Sequence, residues 1–445
     1  MKEDTKYRAP TGVLRAIAAA VLLVALAGCS TLTDLFPGGA SDLEFVEPRA
    51  GSQVSVGNSV PVRVDTSAVS TPLESVHLEV NGDWVGVLSD SDGDGDYTGS
   101  FMPTREGRFR LSAIGIGEDG SIRRGTIELV GGDHPGFSIV MIPDTQSMIE
   151  IQSNTMFSQM TGWIAQQQDA LDIEFVTHVG DIVEHGSSGS EWSRADAAMD
   201  ELDGVVAYST TVGNHDYADR NNKESSTALY RQYFGSQRYS GYGWYGGAGP
   251  RDTNHYQIFD AGGQQFLHLA LEWEAPTDVL TWARGILEAN PGMPTIITTH
   301  AYLWDNPGAM GHSTITQSVT SSGDPYPGSS SGEEIYQALV RPYPQVFMVL
   351  GGHFHMGPDG EDGEYHQVSS NDAGLPVYEM LADYQTWENG GQGWLRIIQF
   401  IPGGGAGGLD RIAVRTYSPV LSRYQTDANS QFHFDLSFAQ RFGID

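Results

Sequence analysis

The chain has a single cysteine, Cys29, and only three lysines, Lys2, Lys6 and Lys223, among its 445 residues. One cysteine cannot form an intramolecular disulfide, so the fold has to be stabilised without such a cross-link. Basic residues are scarce in general, since 24 Lys and Arg stand against 56 Asp and Glu and give a formal net charge of −32. This balance excludes a broad basic surface, and we therefore expect no nucleic-acid-binding surface.

The apolar run near the N-terminus, from Ala16 to Ala27, is too short to span a bilayer comfortably. Several basic residues precede it, and a basic region followed by a short apolar run is typical of a signal peptide. The run ends in Leu26-Ala27-Gly28-Cys29-Ser30, which resembles a bacterial lipobox. We therefore interpret residues 1–28 as a lipoprotein signal peptide.

The lipobox resemblance implies cleavage before Cys29 and lipidation of that residue. Acyl chains contribute about 0.8 kcal/mol per buried methylene and would hold the protein on a membrane surface. Because Ser30 rather than Asp follows, we expect an exported, lipid-anchored protein of the cell envelope, at the outer membrane or the cell surface. Cleavage leaves 20 basic and 54 acidic residues. That acidity fits a salty external environment, although lineage bias explains it equally well.

After the signal peptide, the composition of the chain changes at residue 29 and again at residue 43. Residues 29–42 are rich in Gly, Ser and Thr and are interpreted as a tether. Residues 43–131 contain short alternating runs such as Val60–Val64 and Val76–Val80, separated by turn residues. These runs predict a small all-β sandwich that resembles bacterial immunoglobulin-like modules, with the expected role of a spacer.

An acidic run within this module, Asp90–Asp96, places carboxylates at alternate positions. Oxygen ligands at such spacing can bind calcium. The run lacks the bidentate glutamate that completes an EF-hand loop, and a solvated acidic hairpin turn has the same composition. The sequence leaves both interpretations open.

Residues 132–445 alternate strand and helix signals, which predicts an α/β domain with a partly parallel sheet. Amphipathic stretches near 156–164 and 279–287 have apolar residues on one helical face. Three later runs without intervening helices predict an antiparallel second sheet; they are 377–381, 394–400 and 411–417.

Five polar clusters each follow an apolar run of this domain. They are Asp144-Thr145-Gln146, Gly180-Asp181, Gly213-Asn214-His215-Asp216, His300 and Gly351-Gly352-His353-Phe354-His355. Because residues just past the carboxyl ends of strands line the crevice of an α/β sheet, these clusters are expected to converge. Carboxylate, amide and imidazole groups suit two divalent ions such as Mn, Fe or Zn.

The order of these clusters resembles the calcineurin-like metallophosphoesterase superfamily over roughly residues 137–400. The resemblance implies a four-layer α/β/β/α sandwich that hydrolyses phosphate mono- or diesters with a dinuclear centre and a metal-bound hydroxide. It also implies the metal ligands: Asp144 and His355 on one metal, Asn214, His300 and His353 on the other, and Asp181 bridging both. His215 would donate a proton to the leaving group, and Asp216 would orient its ring.

Gln146 departs from the family pattern, in which a histidine ligand is usual at this position. A glutamine oxygen coordinates a hard cation, but more weakly than imidazole does. Three interpretations compete: a weak ligand, a group that holds water, and a site with one labile metal. We expect an intact but asymmetric site with weaker binding on the Asp144 side.

Other polar residues have less specific signals. His178 is interpreted as a supporting or core residue, and His255 as a residue of the core or near the substrate phosphate. Candidate cleft-lining residues, for which a structural role is equally expected, are Tyr217, Glu272, Trp273 and Asp383-Tyr384-Gln385. The alternative function is a surface adhesion or scaffold lipoprotein whose phosphoesterase fold has lost activity. The substrate is expected to be a small phosphoester, and its identity is not encoded in a readable motif.

Overall fold

The computed structural model describes residues 43–50, 52–55, 57–80, 82–103, 107–131, 136–305, 310–355, 363–402, 404–406 and 409–442. The predicted signal peptide, lipobox and tether lie outside these described residues. None of the helices in the described part of the chain has both the length and the hydropathy of a membrane-spanning helix. The chain divides into two compact units, of which the first covers 43–50, 61–101 and 110–127 within the described residues.

Eight strands before residue 132 form an all-β module. They are β1 (Glu44–Glu47), β2 (Gln53–Val54), β3 (Val60–Asp65), β4 (Leu73–Val80), β5 (Asp83–Leu88), β6 (Asp96–Phe101), β7 (Gly107–Gly117) and β8 (Ile122–Gly131). One sheet has the order β1-β3-β6 and the other β2-β8-β7-β4-β5. In β3 the buried residues Val60, Val62 and Val64 alternate with Pro61 and Arg63, which are exposed, as expected for a strand with one face in a core. The prediction of an N-terminal all-β module is confirmed.

The acidic run of this module forms a tight turn. Asp90 accepts hydrogen bonds from the backbone N–H groups of Gly93 and Gly95, at 2.7 and 3.2 Å. Carboxylate oxygens of Asp90, Asp92 and Asp94 lie within 4.8 Å of one another. Hydrogen bonds within the turn therefore already occupy the carboxylate of Asp90. Calcium binding by this run stays a prediction.

Two seven-stranded sheets form the larger unit. The first has the order β11-β10-β9-β21-β22-β23, with β24 also paired to β22, and the second has the order β12-β13-β14-β15-β18-β20-β19. The strands of the first sheet are β9 (Phe137–Ile142), β10 (Ile173–His178), β11 (Ala207–Thr210), β21 (Leu395–Ile401), β22 (Asp410–Ser418), β23 (Arg423–Tyr424) and β24 (Gln431–Leu436). Those of the second are β12 (Tyr245–Ala248), β13 (His255–Ala261), β14 (Gln264–Leu271), β15 (Thr295–Thr299), β18 (Val346–Gly351), β19 (Glu364–Ser370) and β20 (Pro376–Ala382). The short pair β16 (Leu303–Trp304) and β17 (Gly311–His312) stands apart.

Helices follow several of these strands. They are Gln146–Glu150, Met156–Leu171, Gly189–Met199, Ala228–Phe234, Ser236–Tyr239, Thr277–Ala289, Gly332–Ile335 and Phe438–Phe442. Shorter helical turns lie at Asp200–Leu202, Pro250–Asp252, Tyr336–Val340 and Glu388–Gly391. The helix Met156–Leu171 buries Phe157, Met160 and Ile164, spaced three and four residues apart, and packs on β9 and β10.

The two sheets pack face to face through a core rich in phenylalanine. Phe137 and Phe400 from the first sheet stack at 4.3 Å between ring centroids, and Phe266 from the second sheet lies 5.3 Å from Phe137. The helix Met156–Leu171 covers the outer face of the first sheet, and the turn Tyr336–Val340 packs on β18 of the second. This arrangement confirms the prediction of an α/β sandwich preceded by an all-β region.

Phe266 is a direct test of this core, because its fully buried ring contacts aromatic rings of both sheets. We expect Phe266→Ala to lower the free energy of unfolding by about 3–5 kcal/mol, because it leaves a cavity between the sheets. Urea denaturation measures the change. Val368→Ala, at a side chain that is 53% exposed, is the matched control and should change stability by less than about 0.5 kcal/mol. Equal effects of the two changes would contradict the core assignment.

Candidate metal centre

The carboxyl ends of parallel strands bring the predicted clusters together. Strands β9, β10 and β11 run parallel in one sheet, and β14, β15, β18 and β20 run parallel in the other. The site residues follow five of these ends: Asp144 after β9, Asp181 after β10, Asn214 after β11, His300 after β15 and His353 after β18. The crevice at these ends is therefore built from both sheets, as expected for an α/β fold.

Four ligand atoms meet around His300. Its Nε2 lies 3.2 Å from Asn214 Oδ1, 3.2 Å from Asp181 Oδ2 and 3.2 Å from His353 Nδ1. All four side chains are buried or nearly so. Two imidazoles, a carboxylate and an amide oxygen converging on one point form a donor set that suits a divalent cation.

The rings of His300 and His353 are each oriented by a hydrogen bond on the nitrogen that faces away from the other ring. His300 Nδ1 donates to the carbonyl oxygen of Val179 at 3.0 Å, which directs Nε2 towards Asp181. His353 Nε2 donates to Gln317 Oε1 at 3.0 Å, which leaves Nδ1 as the atom facing His300. Burial and the charge of His300 lower the pKa of His353 to about 3, so its imidazole is neutral and able to bind a metal. Outer hydrogen bonds of this kind are a regular feature of metal-binding histidines.

Three further side chains lie near this first group of donors. Asp144 Oδ2 is 4.0 Å from His300 Nε2, Gln146 Nε2 is 3.2 Å from Asp181 Oδ2, and His355 lines the same cavity as Asp181. Asp144 Oδ1, Gln146 Oε1 and His355 Nδ1 are buried and have no hydrogen-bond partner among the described residues. Burial and the nearby carboxylates of Asp383 and Asp181 raise the pKa of Asp144 well above its usual range. An unsatisfied buried polar atom costs about 1–3 kcal/mol, so a cation that contacted these atoms would relieve this cost. The residues present therefore fit a second metal position.

Asp181 lies between the two groups of donors. Its Oδ1 accepts from the backbone N–H of His215 at 2.8 Å, and its Oδ2 faces both His300 and Gln146 Nε2 at 3.2 Å each. Burial opposes ionisation of Asp181, but the positive charges of His300 and His215 outweigh it and hold its pKa below the ordinary value. Asp181 is therefore a carboxylate placed to contact two cations.

Close packing of glycines makes room for these carboxylates and rings. Gly180 has a φ of 106°, and a Cβ on it would lie 2.8 Å from His300 Nδ1. A Cβ on Gly352 would overlap Asp144 Oδ1. Asp181 and His353 themselves have positive φ values of 51° and 72°, which are uncommon for residues with side chains and are typical of functional sites.

The ring of His215 is held by Glu184. His215 Nδ1 lies 3.0 Å from the carbonyl oxygen of Glu184 and 3.3 Å from its carboxylate. Burial works against protonation, but the charges of Asp181 and Glu184 raise the pKa of His215 to about 9. The ring is therefore protonated near neutral pH, and it lines the cavity at the site.

Our expectation that Asp216 orients the His215 ring is wrong. Asp216 Oδ1 accepts from the backbone N–H groups of Ile182 and Val183 at 2.9 and 3.2 Å, and Oδ2 accepts from Gly213 at 2.8 Å. Oδ1 thus joins the loop after β11 to the loop after β10, and Oδ2 closes the loop after β11 on itself. The fully buried carboxylate positions backbone, and Glu184 takes the role that we gave to Asp216.

Two further histidines have structural partners. His178 is fully buried between Thr145 Oγ1, at 3.0 Å from its Nε2, and the backbone N–H of Gly180, at 3.2 Å from its Nδ1, in agreement with a supporting role. His255 is fully buried and bonded to the Tyr245 hydroxyl at 2.9 Å, away from the residues that line the cavity. Contact of His255 with substrate is therefore not supported.

The candidate cleft residues Tyr217, Glu272 and Trp273 belong to a buried charged network. Tyr217 donates to Glu272 Oε2 at 2.5 Å, and Lys223 Nζ lies 3.7 Å from the same oxygen. Lys223 also donates to the carbonyl oxygens of Trp273 and Glu274. The Trp273 ring lies 6.2 Å from the ring of His353, so this network packs next to one of the candidate metal ligands.

A polar cavity of about 320 Å³ opens at the site. Its lining residues are Ser147, Glu150, Asp181, Glu184, Asn214, His215, Arg220, His353, His355 and Gln385. Sequence reasoning missed Glu184, Arg220 and the His353 partner Gln317. Glu184 follows Asp181 by three residues in the same loop, which is the one local signal that pointed to it.

Comparisons with known proteins relate the chain to a protein family and to a bacterial protein. Residues 137–357 match the family model of the calcineurin-like phosphoesterases, and this segment contains every predicted metal ligand. The chain is 30% identical over 351 residues to the protein YvnB of Bacillus subtilis (strain 168), an alignment that covers 76% of this chain and 25% of YvnB. The chain therefore spans about a quarter of the length of that relative.

Two solved structures resemble parts of the chain. Purple acid phosphatase PPD1 from yellow lupin (Lupinus luteus) seeds matches with 13% identity and a TM-score of 0.43, over 86% of this chain and 73% of that one. The fibronectin(III)-like modules of CbhA from Clostridium thermocellum match with 15% identity and a TM-score of 0.18, over 20% of this chain and 94% of that one.

Proposed function

We propose that this chain, whose residues 137–357 belong to the calcineurin-like phosphoesterase family, is a metal-dependent hydrolase of phosphate mono- or diesters. The observation that carries the proposal is that donors from five strand ends, Asp181 among them, converge around His300. Asn214, His300 and His353 would hold one divalent cation with Asp181.

Asp144 and His355 would hold the other cation, and Asp181 would contact both. When bound, the two cations would supply Lewis acidity to the phosphate oxygens and lower the pKa of water at the site. Mn, Fe or Zn suits the mixture of carboxylate, amide and imidazole donors. The alternative of an inactive adhesion or scaffold lipoprotein is less well supported, because all six donors are present.

The protein's own side chains would bind the ester and supply a proton. His215 is held through Nδ1 by Glu184, which leaves Nε2 as the proton donor to the leaving-group oxygen. Arg220 also lines the cavity, with Nη1 3.8 Å from Glu184 Oε1 and a side chain that is 57% exposed. Its planar guanidinium would bind phosphate oxygens that do not react, because it can donate two parallel hydrogen bonds to a pair of oxygens.

A series of aryl esters tests the function and the role of His215 together. We expect the purified full chain with added Mn²⁺ to hydrolyse nitrophenyl phosphate, bis-nitrophenyl phosphate or both, and the faster substrate defines the ester class. For that class, His215→Ala should lower kcat by about 10²–10⁴-fold for a poor leaving group such as phenol. The loss should be much smaller for nitrophenol, which leaves without a proton, and the metal content should stay unchanged.

The matched control is His185→Ala, because His185 follows Glu184 directly and its ring is 57% exposed and paired with Glu191. This variant should keep nearly normal kcat for both leaving groups. An equal loss for phenyl and nitrophenyl esters, or loss of metal in His215→Ala, would contradict the role of His215. If the wild-type chain neither turns over any ester nor binds metal, the proposed function itself is wrong.

We also propose that the protein acts outside the cell as a lipid-anchored enzyme of the cell envelope. The proposal is supported by the lipobox around Cys29 and by the short apolar run before it. Lipidation would fix Cys29 at the membrane surface and leave the domains that follow it in the external medium.

Substitution of the single cysteine tests the anchor. In a bacterial host, we expect the wild-type chain to be in the membrane fraction and to carry acyl groups on Cys29, as measured by mass spectrometry of the N-terminal peptide. Cys29→Ser should move the protein to the soluble fraction, because no acyl chain remains to bind the bilayer. Identical membrane association of both proteins would contradict the proposal.

A further inference from the structure

The ring of His353 has an acceptor on the side that faces away from the donor group. Its Nε2 lies 3.0 Å from Gln317 Oε1, and an amide oxygen only accepts hydrogen bonds. The neutral ring therefore carries its proton on Nε2 and its lone pair on Nδ1, the atom that lies 3.2 Å from His300 Nε2. Gln317 thus selects the tautomer in which His353 can bind a cation beside His300.

A buried carboxylate fixes the backbone of Gln317. The side chain of Gln317 is exposed, so its direction depends on how its backbone is held. The backbone N–H of Gln317 donates to Glu274 Oε1 at 2.5 Å, and that of Ser318 donates to Glu274 Oε2 at 3.1 Å. Because Glu274 is only 2% exposed, water does not compete for these two charge-assisted hydrogen bonds. Both oxygens of Glu274 therefore hold the residue that reaches His353.

Glu274 is held in turn by Lys223, whose side chain is 1% exposed. Lys223 Nζ donates to the carbonyl oxygens of Trp273 and Glu274, and its backbone N–H donates to the carbonyl oxygen of Val319 at 2.9 Å. Burial lowers the pKa of Lys223 to about 8 against the charges of Glu272 and Glu274, so its ammonium group is charged at neutral pH. One lysine thus contacts both the segment of Glu274 and the loop that contains Gln317.

The backbone conformation of Glu274 supports a role at the site. Its φ of 47° lies in the left-handed region, which residues with side chains rarely adopt. Such conformations persist where the surroundings hold them, and they cluster at functional sites. Glu274 does not line the cavity, and its carboxylate hydrogen-bonds to the loop of Gln317. An effect of this carboxylate on the site therefore has to pass through that loop.

We propose that Glu274 is a positioning residue of the metal centre, which acts through Gln317 to keep His353 Nδ1 directed at the cation. An acceptor on the far nitrogen also makes the ligating nitrogen of an imidazole more basic. The inference rests on the proposed function, because His353 would bind a metal only in the site described there. It predicts that metal affinity depends on a buried carboxylate that does not itself contact the metal.

Zinc titration of the purified full chain tests the role of Gln317 without reliance on turnover. The protein is stripped of metal and titrated with Zn²⁺ in competition with a chromophoric chelator, and the binding step that His353→Ala abolishes identifies the site. Gln317→Met keeps the length of the side chain but removes the acceptor, and it should weaken this step by about 10-fold. Gln317→Glu restores an acceptor and should bind Zn²⁺ at least as tightly as the wild type.

Glu274→Gln tests whether the carboxylate acts through Gln317. The amide nitrogen that replaces one oxygen cannot accept from a backbone N–H, so this variant should also weaken the step by about 10-fold. The double variant with Gln317→Met should lose about 10-fold rather than about 100-fold, because both changes break the same path. Thermal unfolding verifies that each metal-free variant is folded, and Glu274→Asp, whose carboxylate is too short for both N–H groups, replaces Glu274→Gln if that variant is unfolded.

The matched control is Glu224→Gln. Glu224 Oε2 also accepts a backbone N–H of the same loop, that of Ser321 at 2.9 Å, but Glu224 is exposed and its bond does not hold Gln317. This variant should bind Zn²⁺ like the wild type.

The outcomes separate this inference from the proposed function. If the wild type binds Zn²⁺ and Gln317→Met binds it with unchanged affinity, the inference is wrong while the proposed function stands. Unchanged affinity in the Glu274 variant, or losses that add up in the double variant, would show that Glu274 does not act through Gln317. If the wild type binds no metal at all, the proposed function fails first.

Discussion

The carboxylate of Asp181 is the group on which the rest of the site depends. It accepts hydrogen bonds from the backbone N–H of His215 and the side-chain amide of Gln146, and it lies next to the ring of His300. These three partners follow strands of both sheets. Its backbone has a φ of 51°, which is uncommon for a residue with a side chain. A buried anion in a loop with positive φ is unfavourable by itself, and the nearby charges of His300 and His215 offset part of that cost. The two metal positions that we propose on either side of Asp181 would stabilise it further.

The two proposed metal positions would differ in chemistry, because different groups of the protein orient their donors. The position around His300 has two imidazoles, and both are oriented by acceptors of the protein, Val179 and Gln317. The proposed position around Asp144 would rely mainly on oxygen donors, and the amide of Gln146 beside it donates to Gln385, which the carboxylate of Asp383 holds. Such asymmetry would favour a harder ion at the oxygen-rich position and a borderline ion at the position with two imidazoles.

Much of the fold and the donor set was predictable from the sequence, because both depend on local patterns. Compact β-branched runs predicted the parallel strands, and polar residues directly after them identified Asp144, Asn214 and His300 as site residues. The partners of those residues were not predictable in the same way. Gln146 meets Gln385, 239 positions away, and such pairs follow from how the strands β9 and β20 are placed in the two sheets. Asp216 was misassigned because spacing does not determine where side chains point in a tight turn.

A crystal structure of the full chain soaked in Mn²⁺, with anomalous scattering used to locate the metal, shows directly whether Asp181 joins two metals. We expect two anomalous peaks about 3.5–4 Å apart, with Asp181 in contact with both. Asn214, His300 and His353 should surround one peak, and Asp144 and His355 the other. A single peak, or two peaks of which Asp181 touches only one, would show that this carboxylate does not bridge two metals.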